Sequence, residues 1–395
     1  MIKIDRKEDC CGCGSCYNAC PKQCIEMRYD DEGFLYPFVD ESICVECGLC
    51  IKSCPIQNKK NADRQFERSA VIVQHKNNEI CAQSTAGGAF TGIAEYVIEN
   101  GGIVFGVEMD HNCYVHHIAV ENKQDLYKFR NSKYVQSDVE DTFKQVKKYL
   151  ENGRLVCYSG TPCQIEGLLS YLNNNEYENL ILVDVVCRAV PSPGIWKKYV
   201  DMMEEKCGKI KSVRFRDKTL GYQYSTMEIK DEKGRVDRGG IESHPWLRMF
   251  FSGMIIRPSC TECKFRNMYR RSDFTIWDCF NIYYIDKSFD EDVGTTRVLI
   301  HSQKAKDLFE KIKDKYVYKF ISVETAVSNV TELNKSPSAH NNRKLFMEDI
   351  NKYNIQDVID KYFPKTYKVT LKQKLRLILN RFGLDKTVKH ILKKG

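Results

Sequence analysis

Near the N-terminus one cysteine run occurs twice, Cys10-x-x-Cys13-x-x-Cys16-x-x-x-Cys20-Pro21 and Cys44-x-x-Cys47-x-x-Cys50-x-x-x-Cys54-Pro55, with every matched residue offset by 34 positions. Three thiolates at that spacing can wrap one face of an iron–sulfur cube. Zinc closes one tetrahedral site with four ligands and has no use for a third cysteine, twice, followed by proline. Pro21 and Pro55 cannot continue a helix, so each should turn the chain where the fourth cysteine leaves its loop. Residues 1 to 57 are too few to build a large apolar core, so the metal centres must act as the core, and the segment should not fold without iron.

This spacing resembles that of the bacterial two-cluster ferredoxins, in which the fourth cysteine of each run ligates the other 4Fe-4S cluster. The resemblance implies that Cys10, Cys13 and Cys16 pair with Cys54, and Cys44, Cys47 and Cys50 with Cys20. Cys11 and Cys24 fall outside the register and are expected as small buried residues.

There are 19 cysteines in 395 residues. No leading stretch reads as a secretory signal and no apolar run reaches the ~18 residues of a membrane span, so a reducing, cytoplasmic setting without disulfides is expected. After the ferredoxin module (1–57) a polar linker (58–69) leads into a larger domain (70–330), then a helical extension (331–364) and a basic tail (365–395). Between the cysteine runs, Ile25–Met27 and Phe34–Val39 flank a turn and predict a hairpin. From Ala70 onward, aliphatic strands alternate with helical patterns at 89–99, 141–151, 162–172 and after Pro193. The fold class is α+β: a two-cluster ferredoxin module followed by a mixed α/β, flavoprotein-like catalytic domain. Beyond Asp217 the alternation weakens.

Four more cysteines stand out in the larger domain: Cys163, Cys187 and the pair Cys260-x-x-Cys263. The first two follow predicted strands, where α/β sheets commonly place their sites. By spacing alone they could form a third cluster, a zinc site or unrelated buried thiols.

The ferredoxin module followed by Ser84-Thr85-Ala86-Gly87-Gly88-Ala89-Phe90, Ser132-Lys133-Tyr134-Val135-Gln136-Ser137, Gly160-Thr161-Pro162-Cys163-Gln164, Pro191-Ser192-Pro193, Cys260-x-x-Cys263 and Ser272-Asp273 resembles the beta-subunit family of coenzyme F420 hydrogenase and dehydrogenase, over roughly residues 5 to 300. Members with a fused ferredoxin module also occur among bacterial polysaccharide-synthesis proteins. The resemblance implies a third 4Fe-4S cluster on Cys163, Cys187, Cys260 and Cys263, and an FAD that exchanges hydride with a deazaflavin or another partner. For the flavin, Gly87 and Gly88 opening a helix would admit a pyrophosphate to backbone N–H groups, with Ser84 and Thr85 as hydroxyl donors. Gly160 and Thr161 would form a second wall, and Lys133 would balance negative charge. An ordinary turn and helix cap explains the same glycines, and a solvated surface charge explains Lys133. The chain departs from the family at Trp277-Asp278-Cys279-Phe280-Asn281, where Gly-Asp-aromatic-Trp-Gly is usual, and at Arg188-Ala189, where His-Gly is common. Deazaflavin use is therefore not carried over.

The tail from Lys365 holds ten Lys or Arg against Asp385, a net +9 in a chain whose total is +8. Leu371, Leu375, Ile378 and Phe382 recur at helical spacing among these cations, which suits either an anionic membrane surface or packing on protein; no nucleic-acid motif accompanies the charge. The expected function is an iron–sulfur flavoprotein oxidoreductase acting on a small molecule or redox partner protein, cytoplasmic or peripheral at the inner membrane face. The alternative is an electron-transfer subunit without substrate chemistry of its own.

Overall fold

The computed structural model describes residues 1–62, 65–382 and 384. In the N-terminal module, β1 (Ile25–Tyr29) and β2 (Leu35–Val39) pair antiparallel from Ile25↔Val39 to Tyr29↔Leu35. The turn between them is fixed by Asp30, whose carboxylate accepts from the N–H groups of Glu32 and Phe34. Short helices Ser15–Ala19 and Leu49–Lys52 follow the second cysteine of each run. Each starts from a left-handed glycine, Gly14 at φ 72° and Gly48 at φ 74°, a conformation glycine adopts at little cost.

The larger domain is built on an eight-stranded sheet. In chain order its strands are β3 (Ser69–His75), β4 (Ile103–Met109), β5 (Val115–Val120), β6 (Val156–Gly160) and β7 (Leu180–Val185). After a separate antiparallel sheet of β8 (Ile210–Asp217), β9 (Thr226–Asp231) and β10 (Val236–Gly239), the chain returns to the main sheet as β11 (Phe274–Asp278), β12 (Thr296–Ile300) and β13 (Tyr316–Ile321). The spatial order is β13-β3-β12-β11-β7-β6-β4-β5. β11, β7, β6 and β4 run parallel, and β3 shares their direction across the antiparallel β12. Their C-terminal ends therefore open on one edge.

Alternate residues of these strands feed two layers. Val156, Tyr158, Leu180 and Leu182 pack with Phe143, Val146, Ile165 and Leu168 of helices Thr142–Glu151 and Pro162–Tyr171. Cys157, Ile181 and Val183 face the opposite layer with Ile93, Val97, Leu308 and Phe309 of helices Ala89–Glu99 and Gln303–Ile312. Burial on both faces is why the strands read as continuous aliphatic runs. A further core joins helices Pro193–Cys207 and Pro245–Phe251 to β8 and β9 and to Phe346, Met347, Ile350, Val358 and Ile359 of helices Arg343–Lys352 and Ile355–Tyr362.

The N-terminal module is docked on this domain rather than tethered beside it. The Gly194 N–H donates to Gly33 O at 2.9 Å. The Ser192 hydroxyl lies 2.7 Å from Glu32 O and 3.0 Å from Gly33 O. Arg343 grips the Glu32 carboxylate with both terminal nitrogens, at 2.8 and 2.6 Å. A linker reading of 58–69 by itself implied looser attachment.

Candidate metal centres

Three groups of thiols succeed one another from the surface inward. Cys20, Cys44, Cys47 and Cys50 line a small outer cavity that opens to solvent, and Cys47 is exposed. The Ile2 N–H donates to Cys50 Sγ at 3.2 Å. Cys24 lines the same cavity with its Sγ 3.3 Å from that of Cys20. Burial and the mutual charges of Cys10 and Cys54 push the Cys16 thiol well above its ordinary range. Cys10, Cys16 and Cys54, with Cys13 next to Cys16 and Cys54, make the second group. Both groupings follow the crossed pairing expected from the duplicated run.

The third group lies within the larger domain. Cys163 sits in the first turn after β6, Cys187 two residues beyond β7, and Cys260 and Cys263 in the turn that follows helix Pro245–Phe251. A bridge between Pro191 and Ile256 holds the last two segments together. Burial raises Cys187 strongly, reinforced by the charges of Cys260, Cys163 and Cys263, and raises Cys260 to about 12. Four half-buried cysteines brought together in this way are stable as thiolates only with positive charge among them, as iron supplies. Among the described residues no three His, Cys, Asp or Glu side chains close around a point suited to a single metal ion. A cube binds its four thiolates further apart, each on its own iron.

The second and third groups touch. Cys11 is buried, as expected, but it packs in one cluster with Cys13 of the second group, with Cys163 and Cys263 of the third, and with Phe265 and Ile56. On the same contact, a Cβ added to Gly167 would lie 2.9 Å from Cys13 Sγ. Between the modules lies Arg257, wholly buried. Its Nε donates to Cys10 O at 2.8 Å, Nη1 to Gln136 Oε1 at 2.9 Å, and Nη2 to Leu35 O at 2.9 Å and Cys10 Sγ at 3.6 Å. Gln136 in turn donates to Cys11 O at 3.0 Å. Sequence reasoning passed over Arg257; its one local signal was its position three residues before Cys260.

The residues proposed for a flavin have other employment. A Cβ on Gly87 would lie 2.2 Å from Val73 O and 2.8 Å from Thr296 N, so the sheet backbone itself requires glycine there. Gly88, at φ 80°, starts helix Ala89–Glu99, and its open side is closed by Ile80 and His75 at 3.1 and 3.2 Å. Ser84 ends helix Asn78–Gln83 and is buried, and the Thr85 hydroxyl is 2.9 Å from that of Ser132. Lys133 is neither solvated nor turned to a ligand: its ammonium donates to Lys128 O and Arg130 O at 2.6 and 3.0 Å, and burial lowers its pKa to about 7. Gly160 and Thr161 close the N-terminus of helix Pro162–Tyr171, where Thr161 N–H donates to Gln164 Oε1 at 2.9 Å and the Thr161 hydroxyl lies 3.1 Å from Cys163 Sγ. These seven residues do not form an open pyrophosphate cradle. The C-terminal edge of β11 holds a different polar group. Arg216 Nη1 reaches Asp278 Oδ2 at 2.8 Å and Tyr134 OH at 3.1 Å, while Arg216 Nη2 and Asp278 Oδ1 are buried without a partner.

Residues 9–58 match the model of the 4Fe-4S dicluster domain. Residues 153–326 match that of the C-terminal part of the coenzyme F420 hydrogenase/dehydrogenase beta subunit. The chain joins these two modules. A search of solved structures finds similarity to a chain of the F420-reducing NiFe hydrogenase complex from Methanosarcina barkeri, studied with xenon, at 15% identity and TM-score 0.44, covering 76% of this chain and 94% of that one. No match is found among curated proteins. The resemblance read from the sequence is thus matched over these two segments, which support an iron–sulfur, electron-transfer oxidoreductase-type protein. In the beta-subunit domain, Arg188 stands where the family commonly has histidine, and it contacts Phe251 O at 3.2 Å and Glu332 at 3.4 Å.

Proposed function

We propose that this chain carries single electrons between its solvent-facing thiol site and the interior of the beta-subunit domain, through three iron–sulfur sites in series. The observation that carries this reading is the cluster around Cys11, in which Cys13 of the inner site packs with Cys163 and Cys263 of the internal site. The clusters supply reversible one-electron chemistry; the chain's residues order them. Cys47 leaves the outer site open to a redox partner protein, and Ile43, Val45, Leu49 and Ile51 form an exposed apolar collar around it. The docked interface covers Cys13 of the inner site, which is buried, while Cys10, Cys16 and Cys54 stay partly exposed.

The test is iron stoichiometry. Anaerobically prepared protein should hold about twelve irons, and Cys163→Ser or Cys260→Ser should lower this by about four while the outer two sites persist. About eight irons in the parent protein would remove the internal site and leave a dicluster carrier.

FAD, which the resemblance implies, would be received at the C-terminal edge beside Arg216 and Asp278 rather than on Gly87 and Lys133. What supports this is the pair of buried polar atoms lacking partners there. When bound, a flavin joins one-electron to two-electron chemistry. Arg216→Met should then lower acid-released flavin without lowering iron. A parent protein that yields no flavin, even after incubation with FAD, returns the chain to electron transfer alone. A part in polysaccharide synthesis rests on the resemblance alone. For the C-terminal helix we propose contact with an anionic membrane surface, supported by its outward apolar stripe among cations.

A further inference from the structure

Arg257 presents a buried charge whose partners are not carboxylates. Its hydrogen bonds go to Cys10 O, Leu35 O, Gln136 Oε1 and Cys10 Sγ. Among the described residues no carboxylate lies within ion-pair distance of it. The faces of Tyr36 and Phe34, 4.3 and 5.3 Å from the guanidinium carbon, add cation–π attraction but no formal charge. Desolvating a guanidinium costs several kcal/mol unless an anion compensates it. The compensating anion is the thiolate set of the inner site, reached directly at Cys10.

The duplicated run supplies an internal comparison. Gly12 and Glu46 occupy matched positions, both left-handed, at φ 66° and 51°. A Cβ at Gly12 would lie 2.6 Å from Arg257 Nη1, so the first copy is glycine where the guanidinium sits. The second copy carries an acid there, on the wall of the outer cavity. One site has a cation pressed against its ligand loop and the other an anion beside it.

We propose that Arg257 is the fixed counter-charge of the inner iron–sulfur site and raises its reduction potential relative to the outer site, so that an electron taken up at the surface is drawn inward. The proposal deepens the conduit reading but needs only the two sites of the dicluster module with Arg257 docked against them. In the step one electron leaves the outer site and one is gained by the inner site; no bond forms or breaks and no proton moves. A charge that stays fixed stabilises the reduced site, which is more negative by one, more than the oxidised site. Guanidinium suits the place because it stays charged and its planar fork serves carbonyl, amide and sulfur together.

The experiment is a spectroscopically monitored redox titration of the anaerobic full chain and of Arg257→Gln and Arg257→Lys, with iron measured on each. Removing the charge should lower the inner site's equilibrium constant for reduction at least tenfold, which is 59 mV for one electron, with the outer site unmoved. Arg257→Lys keeps the charge and should stay closer to the parent than to Arg257→Gln. If Arg257→Gln loses the inner iron while Arg257→Lys keeps it at near-parent potential, the counter-charge role stands, since the site then fails to assemble without a cation. An unchanged potential in Arg257→Gln, a Lys variant shifted as far as the Gln variant, or loss of inner iron in both would overturn it. A parent iron content near eight would end the three-site conduit and leave this result readable.

Discussion

Gly14 and Gly48 have the same backbone conformation in the two copies of the cysteine run and opposite surroundings. A Cβ on Gly14 would lie 2.3 Å from Val139 Cγ2, whereas one on Gly48 would meet nothing within 4 Å. Alanine at either position takes on the left-handed strain, about 1–2 kcal/mol. At Gly14 overpacking adds roughly 1–3 kcal/mol, because Val139 is itself buried and cannot retreat freely. Gly48→Ala should therefore leave iron content and heat resistance close to those of the parent. Gly14→Ala should lower the midpoint of thermal iron release further and expose the interface to protease. Equal effects in the two variants would show that docking of the first copy does not constrain the module. The ligand cysteines were legible in the sequence because metal chemistry dictates their spacing. Arg257 was not, since its role is to meet a loop some 247 residues away, and no local pattern marks such a partner.

At the scale of elements, the central strands β3, β4, β6 and β7 and the longer helices between Ala70 and Cys207 were readable because those strands are largely buried and those helices carry an apolar stripe, whereas the partly exposed edge strand β5 and the short helix Asn78–Gln83 were not read. Helix Ala89–Glu99 has the predicted bounds, and Thr142–Glu151 and Pro162–Tyr171 lie within one residue of theirs. From Ile210 the chain forms a short antiparallel sheet, β8 to β10, whose outer strand has the exposed residues Val236 and Asp237. Only then does it return to the main sheet as β11 and β12. The order β12-β11-β7 places strands about ninety residues apart side by side, an insertion that periodicity along the chain cannot announce. The same limit applies to Gly87 and Gly88. A glycine pair before a helix suits a phosphate cradle or a crowded strand crossing equally well, and the choice lies with β3 and β12, which pass 2.2 to 2.8 Å from where the Gly87 side chain would be. If that crowding is what requires glycine, Gly87→Ala should reduce soluble yield and thermal stability whether or not flavin is present. A variant of parent stability that only loses flavin would restore the cradle.

Over the whole molecule, charge and exposed apolar surface separate by place. No helix of the described residues is long and apolar enough to cross a membrane. Helix Tyr367–Arg381 buries none of its residues, and Leu371, Leu375, Ile378 and Phe382 are 42, 51, 51 and 70% exposed along one stripe. The helix is nevertheless tied to the body of the protein: Arg376 reaches the buried Glu242 carboxylate at 2.8 Å and lies over the Tyr224 ring at 4.4 Å. Removing one partner of such a pair is destabilising, so truncation confounds anchoring with surface binding. Residues 385–395, which carry four of the tail's ten cations and its single acid, lie outside the described residues. The cleaner variant is Leu375→Ser, Ile378→Ser and Phe382→Ser together, which keeps Arg376 and every charge. The parent should bind anionic vesicles at low salt and release them partly as salt rises, since exposed charges are screened within about 8 Å at physiological ionic strength. The triple variant should keep its iron and fold, bind several-fold more weakly, and lose the binding that survives high salt, because apolar insertion supplies that component. A parent that ignores anionic vesicles, or a triple variant that binds them equally well at high salt, would assign the stripe to a protein neighbour instead.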